Sequence, residues 1–112
     1  MVTVYGGEVY KCNRCEIFLE YLEVYKTWKC PNCLNPVNIK VEVEEKWRSC
    51  LRLQPHEMKI GQLLTFERLH VHQILAIITD YDNYILALKE YGRRSVRNDD
   101  FFLIIDGAWI DS

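Results

Sequence analysis

Lys11-Cys12-Asn13-Arg14-Cys15 and Lys29-Cys30-Pro31-Asn32-Cys33 are two CxxC pairs with fourteen residues between them. A thiolate is a soft ligand, and four of them close a tetrahedral shell around one ion. Two residues between paired cysteines form a tight turn that aims both sulfurs at one point. Backbone N–H groups in such a turn offset the thiolate charge, and Pro31 stiffens the second turn. The spacing assigns Cys12, Cys15, Cys30 and Cys33 as ligands of one structural ion, Zn(2+) in the first place. Iron held by four thiolates, a redox dithiol and a pair of disulfides are the alternatives. A site closed by four cysteines has no open position for a substrate, so the expected role is structural, with metal binding supplying folding free energy.

The rest of the chain fits that need. With 112 residues, it has room for one domain or two very small ones. A unit of about 40 residues folds with difficulty unless a metal or disulfides support it. Hydrophobic residues at 49% and charged residues at 27% describe a globular chain. A net charge of −2 argues against a strongly basic stand-alone DNA binder. No apolar run reaches the roughly 18 residues of a membrane span. Met1-Val2-Thr3-Val4-Tyr5 lacks the basic start of a signal peptide. A cytoplasmic protein is expected, and a reducing cytoplasm favours cysteines as metal ligands.

Outward from the cysteines, Val9-Tyr10-Lys11 reads as a strand, and Ile17–Leu19 and Leu22–Tyr25 as a pair of strands. Val37 to Glu44 alternates apolar and polar residues over eight positions, a strand with one wet face. The segment 45–57 is mixed, contains Pro55 and is taken as a connector, giving a metal module at 1–44 and a second unit at 58–112. No Gly/Ser linker separates them, so they should pack together. In the second unit, Ile60, Leu63, Leu64, Val71, Ile74, Leu75 and Ile78 recur at a helical period. The β-branched and aromatic content of Ile77-Ile78-Thr79, Tyr81, Tyr84 and Ile85 points to strands instead. Asp80–Asn83 and Arg93-Arg94-Ser95 are turn signals, Phe101–Ile105 is a strand candidate, and Asp106-Gly107 reads as a hairpin dipeptide before a last strand at 108–110. The expected fold is mainly β, an N-terminal metal module packed on a small C-terminal β-barrel-like domain. An α+β second unit with a helix at 56–79 is the alternative.

Residues 9–40, with YKCNRC and WKCPNC as two knuckles, resemble a zinc ribbon. The resemblance implies a β-rich module of the kind common in transcription, translation, replication and phage regulatory proteins, where it binds nucleic acid or protein. Many ribbons carry Gly soon after each CxxC; here Glu16 and Leu34-Asn35 follow, with Asn35 the residue expected to turn left-handed. Across residues 58–106, the order Gly61–Leu64, His72–Ile78, Tyr84–Gly92, Ser95–Arg97 and Asp99–Phe101 resembles an SH3-like or Tudor-like barrel. Tyr81, Tyr84 and Tyr91 are the residues available for a Tudor-type aromatic cage.

Elsewhere the signals are weaker. Cys50 reads as a small buried hydrophobe. His56, His70 and His72 read as surface or core histidines, with His70 and His72 able to share a strand face. Arg93, Arg94 and Arg97, beside Tyr91, form the one basic cluster; in a turn they would hold phosphates as forked donors. Lys11, Arg14, Lys26 and Lys29 make a weaker set among acidic neighbours. Of the aromatic residues, Tyr5, Tyr21, Tyr25, Trp28 and Trp109 are candidate contact anchors. No paired acid and base, nucleophile with base, or open metal site can be named. The expected function is a non-enzymatic regulator or assembly factor that binds a nucleoprotein machine through nucleic acid and protein contacts. A protein-binding adaptor or inhibitor, for example phage-encoded and acting on a host factor, is the alternative. A protein partner, with nucleic acid as a second candidate, and no membrane or small-molecule substrate complete the expectation.

Overall fold

The computed structural model describes residues 7–109; Tyr5, Ile110 and the two chain ends lie outside them. The chain is mainly β. Among the described residues there are nine strands, β1 (Val9–Cys12), β2 (Ile17–Leu19), β3 (Asn38–Val43), β4 (Lys46–Leu53), β5 (Leu63–Thr65), β6 (His72–Asp80), β7 (Asn83–Leu88), β8 (Gly92–Arg97) and β9 (Phe102–Ala108). They join in one antiparallel order, β2-β1-β3-β4-β9-β5-β6-β7-β8.

The alternation at 37–44 becomes β3, with Ile39, Val41 and Val43 fully buried. Strand Ile17–Leu19 pairs with β1. The expected partner strand at Leu22–Tyr25 is instead a short helix, α1 (Tyr21–Val24). The Glu20 N–H donates to the Glu23 carboxylate at 2.7 Å. The Trp28 N–H closes the turn on the Val24 carbonyl at 2.6 Å. These two bonds, one at each end, hold the helical turn that apolar content alone does not announce.

The segment 45–57 is no simple connector. Eight of its residues are β4, which pairs with β3 on one side and β9 on the other. β3 reaches β4 through a two-residue turn, Glu44-Glu45, with φ of 52° and 64°. Both residues at positive φ is the type I′ geometry, which suits the twist of a hairpin but usually takes Asn-Gly. β4 and β9 are shared between two apolar cores. Cys50 and Leu103 belong to the core under the cysteine module, with Tyr10, Val24, Val37 and Ile39. Leu53 and Ile104, on the opposite strand faces, belong to a second core with Leu64, Ile74, Leu86 and Val96.

The alternative helix at 56–79 is absent. A 3-10 turn at Pro55–Glu57 is followed by β5 and β6. The helical period there does not mark a buried face: Ile60, Leu63, Leu75 and Ile78 are exposed, while Leu64 and Ile74 are buried. β6 carries an extra residue at Leu75, between the pairs Ile74↔Leu88 and Ala76↔Ala87. This bulge turns the strand over, so Ile74 and Ile77, three apart, both reach the second core. Asp106-Gly107 is likewise a bulge and not a hairpin. Ser49 pairs with Gly107 and Cys50 with Ile105, which leaves Asp106 as the extra residue inside a continuous β9. Its carboxylate accepts from Asn38 Nδ2 at 3.2 Å, and Asn38 also donates to Ser49 Oγ at 2.8 Å, tying three adjacent strands. Among the described residues no helix is long and apolar enough to cross a membrane.

Candidate metal centre and its surroundings

Cys12 ends β1, and Cys15 follows it across a tight turn whose N–H points back at Cys12 Sγ, 3.4 Å away. Cys30 and Cys33 sit in the second turn. It is pinned by a bridge between Lys29 and Pro36 and by the Val37 N–H to the Trp28 carbonyl at 3.1 Å. Leu34 N–H donates to the Cys30 carbonyl at 2.8 Å, and Asn35 Nδ2 approaches Cys33 Sγ at 3.6 Å.

The four sulfurs converge within 4.8 Å of one another. Cys12 and Cys33 Sγ are 3.5 Å apart, and Cys15 and Cys30 Sγ are 3.9 Å apart. Four sulfurs bound at about 2.3 Å to one tetrahedral ion would stand about 3.8 Å from each other, so the donor set fits a four-thiolate ion. The backbone N–H of Asn35 leads the effects that lower Cys33 to about 6, favouring its charged, ligating form. Cys15 is pushed up to about 12, first by its hydrogen bond with Cys33 and then by burial. Burial pushes Cys12 up.

The residue after each pair turns left-handed, Glu16 with φ 57° and Leu34 with φ 63°. These are the positions where a ribbon often has glycine. At the second knuckle the residue is Leu34 and not the expected Asn35. A left-handed non-glycine residue carries a conformational penalty, and metal ligation can hold the turn against it.

Next to the module lies a buried carboxylate that the sequence reading missed. Glu8 is 2% exposed. Arg52 donates to both of its oxygens at 2.7 Å, Arg68 donates to Oε2 at 2.7 Å, and the Tyr10 hydroxyl donates to Oε1 at 2.9 Å. Burial pushes the Glu8 carboxyl up, but the Arg52 hydrogen bonds and charge, with Tyr10 and Arg68, outweigh it and hold it below the usual carboxylate range. The Arg52 guanidinium also covers the Trp28 ring at 4.3 Å. Trp28 packs against Tyr10 and Tyr21, with ring centroids 5.9 and 6.0 Å away. Only the acid at position 8 and the isolated Arg52 and Arg68 carry this network in sequence. They are 44 and 60 residues apart from it, with no local pattern to join them.

The remaining candidates fall as follows. Trp28 is half-buried in that cluster. Tyr25 is 39% exposed and stacks on Tyr21 at 5.4 Å. Trp109 is half-buried beside Trp47, its N–H on the Trp47 carbonyl at 3.3 Å. Lys29 pairs with Glu57 at 2.9 Å, Lys11 lies over Phe18, and Lys26 over Tyr25. Cys50 is fully buried and outside the four-sulfur group, its thiol pushed up to about 12 chiefly by burial. His56 and His70 are exposed. His70 precedes β6 and does not share a strand with His72, whose Nδ1–H donates to the Lys89 carbonyl at 3.1 Å.

The three arginines of the basic cluster are not in a turn. They lie in β8, the last strand of the sheet, and the turn is at residues 89–91. Strand alternation sends Arg93 and Arg97 to one face and Arg94 to the other, the side of buried Val96. Arg97 is paired with Asp99 at 3.2 Å. Arg94 lies over the Phe66 ring at 4.0 Å and donates to the Tyr91 hydroxyl at 3.2 Å. Tyr91 contacts Phe66 and His72, with ring centroids 5.4 and 5.0 Å away, while Tyr81 is fully exposed at the tip of the β6–β7 turn. In comparisons with family models, curated proteins and solved structures, the chain matches none.

Proposed function

We propose that this chain is a non-enzymatic zinc-ribbon protein, a regulator or assembly factor that binds a nucleoprotein machine through nucleic acid and protein contacts. The observation that carries the reading is the convergence of Cys12, Cys15, Cys30 and Cys33 on one point at distances suited to four thiolates around Zn(2+). Such an ion is coordinatively full, so its role is to hold the knuckles and not to activate water or substrate. Recognition then belongs to the surfaces that the knuckles and sheet present. The SH3-like reading of the second unit rests on the β9-β5-β6-β7-β8 order, with a bent β6 pairing first with β5 and then with β7.

A second reading, a protein-binding adaptor or inhibitor without nucleic acid, draws on exposed apolar residues of the cysteine module. Phe18 is 52%, Leu22 77% and Leu34 70% exposed. One experiment separates the two. The zinc-loaded chain is titrated onto labelled random-sequence RNA and DNA at about 50 mM and then 200 mM salt, where phosphate contacts weaken steeply. Salt-sensitive binding supports the first reading. Undetectable binding at low salt removes its nucleic-acid half and leaves the adaptor.

A further inference from the structure

Arginines from three separate parts of the chain meet where no motif announces them. Arg52 from β4, Arg68 from the loop after β5 and Arg94 from β8 line one open groove of about 330 Å³. Phe66, Phe101 and Phe102 line it too. Resting on the nucleic-acid part of the function proposed above, we infer that this groove binds single-stranded nucleic acid, with the arginines on phosphates and the Phe101 ring on a base.

Charge supports the assignment first. Three guanidiniums line the groove, and only two of them meet the buried carboxylate Glu8: Arg52 donates to both of its oxygens and Arg68 makes a single contact. Arg68 is 44% exposed at its side chain and keeps further N–H donors for a ligand. Arg94 is exposed and donates to the Tyr91 hydroxyl, which leaves its other N–H groups for a ligand. The groove therefore carries a net positive charge at its wall.

The arginines are also preorganised. Arg52 is fixed by its two-pronged hold on Glu8 and by the Trp28 ring. Arg94 is fixed over Phe66. A guanidinium held in place loses less entropy when it binds phosphate. Aromatic rings distinguish the occupant. Phe66 and Phe102 meet edge to face at 6.0 Å and pack against the second core, and half-buried Phe101, outside that core, completes the lining. A phosphopeptide would use the arginines alone, whereas bases of a single strand use rings as stacking platforms. The groove also explains why Arg93 and Arg97, the obvious basic residues, are not the site: they point from the other face of β8, and Arg97 is already paired with Asp99.

The test is fluorescence anisotropy with the zinc-loaded full chain and labelled 12-mers of oligo(U) and oligo(dT), at about 50 and 200 mM salt. Arg94→Gln and Phe101→Leu are compared with Arg93→Gln/Arg97→Gln, with thermal unfolding recorded for each. Arg94→Gln lies outside the Glu8 network, and it should weaken binding and reduce the salt slope by about one. Phe101→Leu keeps an apolar side chain and should weaken binding about fivefold or more. The Arg93→Gln/Arg97→Gln variant should bind as the parent does. Parent-like binding by the folded Arg94→Gln and Phe101→Leu variants, with loss in Arg93→Gln/Arg97→Gln, overturns the groove but keeps nucleic-acid binding. No binding by the parent at low salt overturns both. Capture of a phosphoserine peptide, with oligonucleotides unbound, overturns the choice of occupant.

Discussion

Replacing Glu8 tests how the cysteine module is joined to the rest of the sheet. Glu8 precedes β1, Arg52 is in β4, and Arg68 follows β5, so a single carboxylate spans three parts of the fold. In Glu8→Ala the Arg52 guanidinium, 18% exposed, stays largely buried without its counter-ion. Breaking a buried pair by removing one partner costs about 3–5 kcal/mol. Arg68→Ala removes a contact at the surface end, which is worth about 1 kcal/mol or less. Urea unfolding of the metal-loaded chain is the assay. With a slope of about 2 kcal/mol per molar, Glu8→Ala should lower the midpoint by about 2 M at unchanged slope. Glu8→Leu/Arg52→Leu should recover much of the loss, because no buried charge is left alone. The pH dependence follows from the direction of the Glu8 shift. Its folded value lies below the usual 4.5, so the stabilisation is complete above that pH and disappears as pH falls through the folded value. Thiolate ligands also take up protons in acid, so the parent and Glu8→Gln are compared at each pH, and the gap between them should close on acidification. A loss under 1 kcal/mol for Glu8→Ala, additive with Arg52→Ala in a double-mutant cycle, would refute the reasoning.

Three further outcomes are expected. One zinc ion should bind per chain, and Cys12→Ser or a strong chelator should abolish the β1–β2 pairing. Loss of amide-exchange protection at Tyr10 and Leu19 reads this out, and protection that survives would argue against a folding role for the metal. Glu16→Gly and Leu34→Gly should each raise stability by about 0.5–1 kcal/mol in thermal unfolding, since relief of a left-handed residue exceeds the added chain entropy of glycine. A loss on both substitutions would rule that conformation out. Cys50 should resist alkylation in the folded protein at pH 8, because it is fully buried and its thiol is pushed up to about 12. Mass spectrometry after iodoacetamide treatment should find it modified only when urea is present.

The four-cysteine cluster and much of the strand content were legible because both are local. A CxxC pair needs only a tight turn to aim two sulfurs, and the alternation in Asn38–Val43 directly reports a half-buried strand. Elements failed where one residue changed the count. The bulge at Leu75 brings Ile74 and Ile77, three apart, to one core, so a plain two-residue alternation does not describe β6. The bulge at Asp106 put turn-type residues inside β9. Glu44-Glu45 forms a type I′ turn without the residues that usually mark one, so nothing in the sequence separates β4 from a connector.

By itself the sequence determined which atoms could ligate a metal, that the chain is rich in strands, and that its apolar residues suffice for small cores. Tertiary structure alone decided that β4 and β9 serve both cores, and that Arg94 parts from Arg93 and Arg97. It also decided that Arg52, Arg68 and Arg94 share one groove beside Glu8. The physical reason is distance along the chain. A turn or a strand is set by neighbours within a few residues. A groove or a buried ion pair is assembled from segments tens of residues apart, and only the register of the sheet specifies their meeting.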